Sequence, residues 1–165
     1  MDSTYGVKLL GCPLGTPAYV QQFLDHLLET HLPLKRRLPD IPQTQVAYVL
    51  LKDCVATRFA YAIRTLDPTF PAVQRACARH DASILELFEL IAATPRDPGS
   101  DHIQDTRAQL PLTMGGLGLG SAARVSPAAY VAAAAECLHE VAKRGSDWLG
   151  PPNQASATIT AYIYR

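Results

Sequence analysis

Proline placement constrains this chain more than any other feature. Thr16-Pro17, Pro42, Phe70-Pro71 and Ser126-Pro127 each stand at the head of a stretch with helical spacing. Proline loses no hydrogen bond in the first turn of a helix, and it blocks continuation of any helix that precedes it. The 13 prolines therefore divide the 165 residues into separate short helices rather than one long rod.

The first helix is predicted over about 17–31, because Val20, Phe23, Leu24, Leu27 and Leu28 recur at i, i+3, i+4, i+7 and i+8. Residues 32–42 hold Pro33, Pro39 and Pro42 and read as a loop with a short helical turn. The second helix, about 43–65, is apolar nearly all round and is expected in the middle of a bundle. Its polar residues Asp53, Thr57 and Arg64 share a stripe, with Lys52 and Arg58 away from it. The third, 71–92, keeps helical spacing from Val73 to Ile91. After a breaker-rich loop at 94–100, a short helix is expected over 101–109. The alanine-rich fourth helix is predicted from Pro127 to Arg144, with Lys143, Arg144 and Gly145 as its stop. Before all of these, Tyr5–Gly15 suits an extended segment or hairpin, broken by Gly11, Pro13 and Gly15.

The expected fold class is mostly α: a small bundle of four to five helices with a short extended N-terminal segment and an irregular C-terminal tail. The division is 1–16 extended, 17–145 helical and 146–165 tail, whose Thr158–Arg165 run alternates weakly, like the strand of a truncated element. An apolar fraction of 48% with no net charge excludes a disordered polymer. The longest apolar runs, 46–51 and 128–135, fall well short of the roughly 18 to 20 residues that cross a bilayer. The first residues lack the basic and apolar regions of a secretory leader, so the expected compartment is intracellular.

Cys12, Cys54, Cys77 and Cys137 have no C-x-x-C spacing, and Cys54 and Cys77 fall in apolar helical patterns, which suits packing rather than zinc. Charge is unevenly distributed. Residues 35–79 carry eight basic side chains against three acidic ones, and residues 80–105 carry six acidic against one basic. A phosphate backbone prefers the first flank; otherwise the two are solvated helix faces that partly neutralise each other. His80 beside Asp81 invites a catalytic reading, yet neighbours on a helix point about 100° apart and no nucleophile is positioned, so His80 is expected as a core or boundary residue. Gly115, Gly116, Gly118 and Gly120 imply a backbone that needs positive φ or close approach to another segment, and Gly116, Gly118 and Ser121 nearly mimic a dinucleotide fingerprint, but no convincing strand precedes them. No complete enzymatic constellation appears.

Three segments, in order, carry a resemblance. Lys8-Leu-Leu-Gly-Cys-Pro-Leu-Gly15 is similar to "K-x-L-G-x-P-[IL]-G", and residues 47–65 resemble "L-L-x-x-C-x-x-x-R-x-x-Y-x-x-R". Gln109–Leu119 with Ser121-Ala122 and Pro127–Tyr130 looks like "Q-x-x-L-P-x-x-x-G-G-L-G-L-x-S-A" followed by an alanine-rich helix. Together they span roughly residues 6–135 and resemble the region after the catalytic palm in reverse transcriptases (RNA-directed DNA polymerases) of non-LTR-type retroelements.

The resemblance implies that residues 6–16 correspond to the primer-grip strand edge and the first three helices to a thumb that closes on a template–primer duplex. Gripping an RNA–DNA or RNA duplex by its backbone calls for cations on helix faces rather than a base code. The candidates are Lys35, Arg36, Arg37, Lys52, Arg58 and Arg64. Arg58 and Arg64 occupy matching family positions, either as phosphate ligands or as arginines bonding loop carbonyls. Gly115, Gly116 and Gly118 would form a structural turn. Magnesium in such a polymerase belongs to the aspartates of the palm, and no two aspartates are adjacent in this sequence. No cofactor and no polymerase activity are therefore expected of this chain alone. The partners implied are the duplex and a palm domain; no membrane is involved. The alternative is a helical interaction scaffold that no longer touches nucleic acid.

Overall fold

The computed structural model describes residues 5–93 and 101–144. The chain begins as a hairpin, β1 (Gly6–Leu9) antiparallel to β2 (Cys12–Gly15), in the register Val7↔Leu14 and Lys8↔Pro13. Its two-residue turn holds Leu10 at φ 48° and Gly11 at φ 87°. Positive φ at both central residues suits the twist of a tight hairpin, and Gly11 adopts it without the strain a side chain adds.

Helix α1 (Pro17–Thr30) starts where the sequence places it: the Thr16 hydroxyl accepts from the Tyr19 amide at 3.4 Å and Pro17 fills the first position. Its buried face is Val20, Leu24 and Leu28. The proline-rich loop contains a real helix, α2 (Leu32–Arg37), with Pro33 in the first turn, where its missing amide costs nothing.

The predicted second helix is one rod with a fault in its middle. It runs as α3 (Thr44–Leu50), a π turn (Leu51–Val55), a 3₁₀ turn (Ala56–Phe59) and α4 (Ala60–Thr65). It is not encased as its composition suggested. Ala47, Leu51, Val55, Phe59, Ala62 and Ile63 are buried, whereas Val46, Val49, Leu50 and Tyr61 are exposed. One face packs and the other meets solvent.

Helix α5 (Pro71–Ala92) is the central element and follows its predicted bounds. It serves two packing centres. One gathers Leu24, Phe59, Ile63, Val73 and Cys77; the other gathers Leu38, Leu51, Val55, Ile84 and Leu119. Val55 and Phe59 lie in different centres, so the fault in the rod falls at the seam between them.

Helix α6 (Asp101–Gln109) delivers Ala108 to the second centre and leads into the glycine run. The close backbone approach that the glycines implied is seen at Gly116, where any Cβ would overlap the Leu110 carbonyl. The loop amides are committed to the chain itself: Leu117 to the Arg107 carbonyl at 3.2 Å, Gly118 to Leu110 at 2.7 Å and Leu119 to Ala108 at 3.1 Å. It is a turn that docks on the end of α6.

Helix α7 (Ala122–Arg144) starts five residues before the expected Ser126-Pro127. The reason lies on α5. Asp81 accepts from the Ala122 amide at 2.7 Å, the Ala123 amide at 3.1 Å and the Ser121 hydroxyl at 2.6 Å, while Ser121 Oγ accepts from the Arg124 amide at 3.2 Å. A carboxylate from another helix thus caps the first turn and complements its dipole. Pro127 is tolerated inside because Ser126 Oγ donates to the Ala123 carbonyl at 3.3 Å, the group that a proline amide cannot serve. Helix α7 then packs along α4. No described helix is long and apolar enough to cross a membrane. The expected tail, 146–165, lies outside the described residues.

Candidate nucleic-acid interface

The six nominated cations separate into three kinds. Arg36, Arg37 and Arg58 are exposed and, among the described residues, have no carboxylate within ion-pair reach. Lys52 pairs with Asp53 at 3.2 Å, and Arg64 pairs with Glu136 at 3.0 Å. Exposed pairs of this kind contribute about 0–1 kcal/mol, so they restrain the cations only weakly while placing an acid beside them. Lys35 departs from the expectation of a surface cation. It is 7% exposed, and its ammonium donates to Ser83 Oγ on α5 at 2.5 Å. The Leu32–Arg37 helix is one and a half turns long and docks one face, which takes Lys35 inward while Arg36 and Arg37 stay out.

Lys35 belongs to a buried polar cluster with His31, at the end of α1, and His80, on α5; these are 5% and 2% exposed. Burial pushes the His31 imidazole down to about 4, helped by the positive charges of Lys35, Arg58 and His80. His80 is also lowered, by burial first and by Lys35 second, against the opposing pull of the Ala56 carbonyl and Asp81. Burial lowers Lys35 as well, and Glu86 offsets part of that. Arg58, on the 3₁₀ turn, adds to the positive field at His31.

His80 is the buried histidine that the apolar spacing of α5 predicts, and Asp81 is a helix cap rather than its catalytic partner. The imidazole stacks on Phe59, with centroids 5.0 Å apart and 17° between planes. Its Nε2 lies 3.1 Å from the Ala56 carbonyl. A carbonyl only accepts, so Nε2 carries the proton and Nδ1 is left as an unpartnered acceptor in the core. Cys77 is likewise a core residue, its thiol pushed up to about 11 by burial and the nearby Asp81, whereas Cys54, expected to pack in the same way, is exposed on the π turn.

A further cation was not nominated. Lys8 lies over the Phe23 ring, 5.7 Å from its centroid, and lines a groove of about 110 Å³ together with Arg58, Tyr61 and Thr65. The Tyr61 hydroxyl donates to the Leu10 carbonyl, which ties the hairpin tip to α4. In the hairpin register Lys8 pairs with buried Pro13, while Val7, Leu9 and Leu14, on the opposite face, are all at least half exposed.

No group of three or more His, Cys, Asp or Glu suited to a metal ion occurs among the described residues. Comparisons with protein-family models, with curated proteins and with solved structures found no match for this chain.

Proposed function

We propose that this chain is a thumb-like element of a retroelement-type polymerase, holding a template–primer duplex by its sugar–phosphate backbone without a catalytic centre of its own. The observation that carries the reading is the set Arg36, Arg37 and Arg58: exposed, and unopposed by acids among the described residues. Unpaired guanidiniums on a folded helical surface suit contact with phosphates, and nothing about such contact requires a base code. Lys8 extends the basic region towards the hairpin.

The test is binding of a labelled RNA–DNA hybrid across a salt series. Affinity falls as salt rises, with a log–log slope of about 0.9 per neutralised phosphate. Changing Arg36, Arg37 and Arg58 together to Gln reduces that slope by about 2 to 3, with little effect on folding because the side chains are exposed. Binding that ignores both salt and these substitutions rejects the reading.

A second reading rests on a different observation. Tyr5, Val7, Leu9 and Leu14 leave the outward face of the hairpin apolar and exposed, which suits a scaffold that docks a palm domain or another protein there rather than nucleic acid. Val7→Lys with Leu9→Lys abolishes association under that reading and leaves hybrid binding intact under the first.

A further inference from the structure

The buried cluster between α1, α2 and α5 has an unusual composition. Three groups able to carry positive charge, His31, Lys35 and His80, are packed together, with Arg58 bordering them from the 3₁₀ turn. The acids that face them are few. Asp81 directs its oxygens to the start of α7, Glu86 acts on Lys35 from an exposed position on α5, and Glu29, exposed near the end of α1, lines the same cavity as Lys35. Both histidines keep Nδ1 buried and unpartnered, so a proton added there finds no acceptor while the corner stays closed. The hold on α2 is short: six residues, one ammonium-to-hydroxyl hydrogen bond from Lys35 to Ser83, the packing of Leu34 on the second centre, and the buried Leu38 that follows. A cavity of about 300 Å³, bordered by Glu29, Lys35, Arg79, Ser83 and Glu86, opens beside that hydrogen bond.

We propose that the α1–α2 corner is an acid-opened latch, in which protonation of His31 and His80 releases α2 from α5 and carries Arg36 and Arg37 away from the bundle. In the closed corner both imidazoles are neutral. A group held below its exposed value binds its proton more readily in the open form, so falling pH favours opening. For His31, at about 4 closed against the ordinary 6.5 when solvated, opening increases about tenfold between pH 7.5 and pH 5.5. His80 is shifted in the same direction and adds to this. The effect on nucleic-acid affinity rests on the proposed thumb reading, whereas the latch itself is tested without nucleic acid.

The experiment is amide hydrogen exchange read by mass spectrometry, corrected for the intrinsic pH dependence of exchange. Peptides covering residues 32–38 lose protection by about tenfold or more from pH 7.5 to pH 5.5, while those covering α1 and α5 keep theirs. His31→Gln with His80→Gln removes the pH dependence. Should the double variant fold poorly, Lys35→Met provides an independent check: it removes the neighbouring charge and shrinks the ratio between the two pH values, whatever its absolute protection. The latch is overturned if α2 protection is the same at both pH values, if α1 and α5 open in parallel with α2, or if the ratio persists in the variants.

Discussion

His80 donates from Nε2 to the carbonyl of Ala56, 24 positions earlier in the chain, at 3.1 Å. That carbonyl sits where the α3–α4 rod changes from π to 3₁₀ winding, and the Ala60 amide that would serve it in a regular helix turns to Thr57 instead. Irregular winding leaves an acceptor without its helical partner, and the imidazole supplies a donor. The same ring stacks on Phe59, so one side chain joins the two packing centres.

Replacing His80 with Leu preserves most of the volume and removes the donor. The half-buried Ala56 carbonyl loses that bond and Phe59 loses its stacking partner, at an expected cost of about 1–3 kcal/mol. Urea unfolding measures it as a lower midpoint with an unchanged slope; an unaltered midpoint contradicts the role given to this contact.

Asp81→Ala withdraws the acceptors of the Ala122 and Ala123 amides and of the Ser121 hydroxyl. The expected loss is about 1–2 kcal/mol, in line with removal of a good cap. Hydrogen exchange locates it: amides of the first turn of α7 lose protection ahead of those in α5. If the substitution destabilises every helix alike, the local account is wrong.

Gly116→Ala forces a methyl group into the Leu110 carbonyl, a backbone atom with little room to yield. A cost of about 1–3 kcal/mol follows from overpacking. Gly115→Ala makes the control, since a Cβ there meets nothing within 4 Å and the penalty is confined to its φ of 76°. Thermal unfolding separates the two penalties by side-chain size: Gly116→Leu should melt well below Gly116→Ala, whereas Gly115→Leu should match Gly115→Ala, and the same trend at both positions would remove the close-approach argument.

Much of the fold is legible in the letters because proline and periodicity act locally. Pro17 and Pro71 fix the starts of α1 and α5, and the spacing of Val73, Ala76, Cys77 and Ile84 fixes the buried face of α5. What escapes is decided between segments. Ser126-Pro127 is a sound local start for a helix, but Asp81 offers a stronger cap five residues earlier, and no local pattern announces a carboxylate 41 positions away. The apolar second helix suggests encasement, yet a small bundle has too few elements to cover all of its faces.

The candidate site divides in the same way. Exposed Arg36, Arg37 and Arg58 agree with what charge placement suggests, whereas Lys35 turns inward because the rotation of α2 is set by its contact with α5. Lys8 lines the same groove as Arg58, 50 residues away in sequence. A count of charges along the chain does not bring them together; the docking of the hairpin on Tyr61 does.

The dependence of α7 on Asp81 has a temporal side. A ribosome delivers the carboxylate before the helix it governs, so the group that sets the start of α7 is already in the chain when the alanine-rich segment emerges. The later segment has its starting residue chosen for it on arrival.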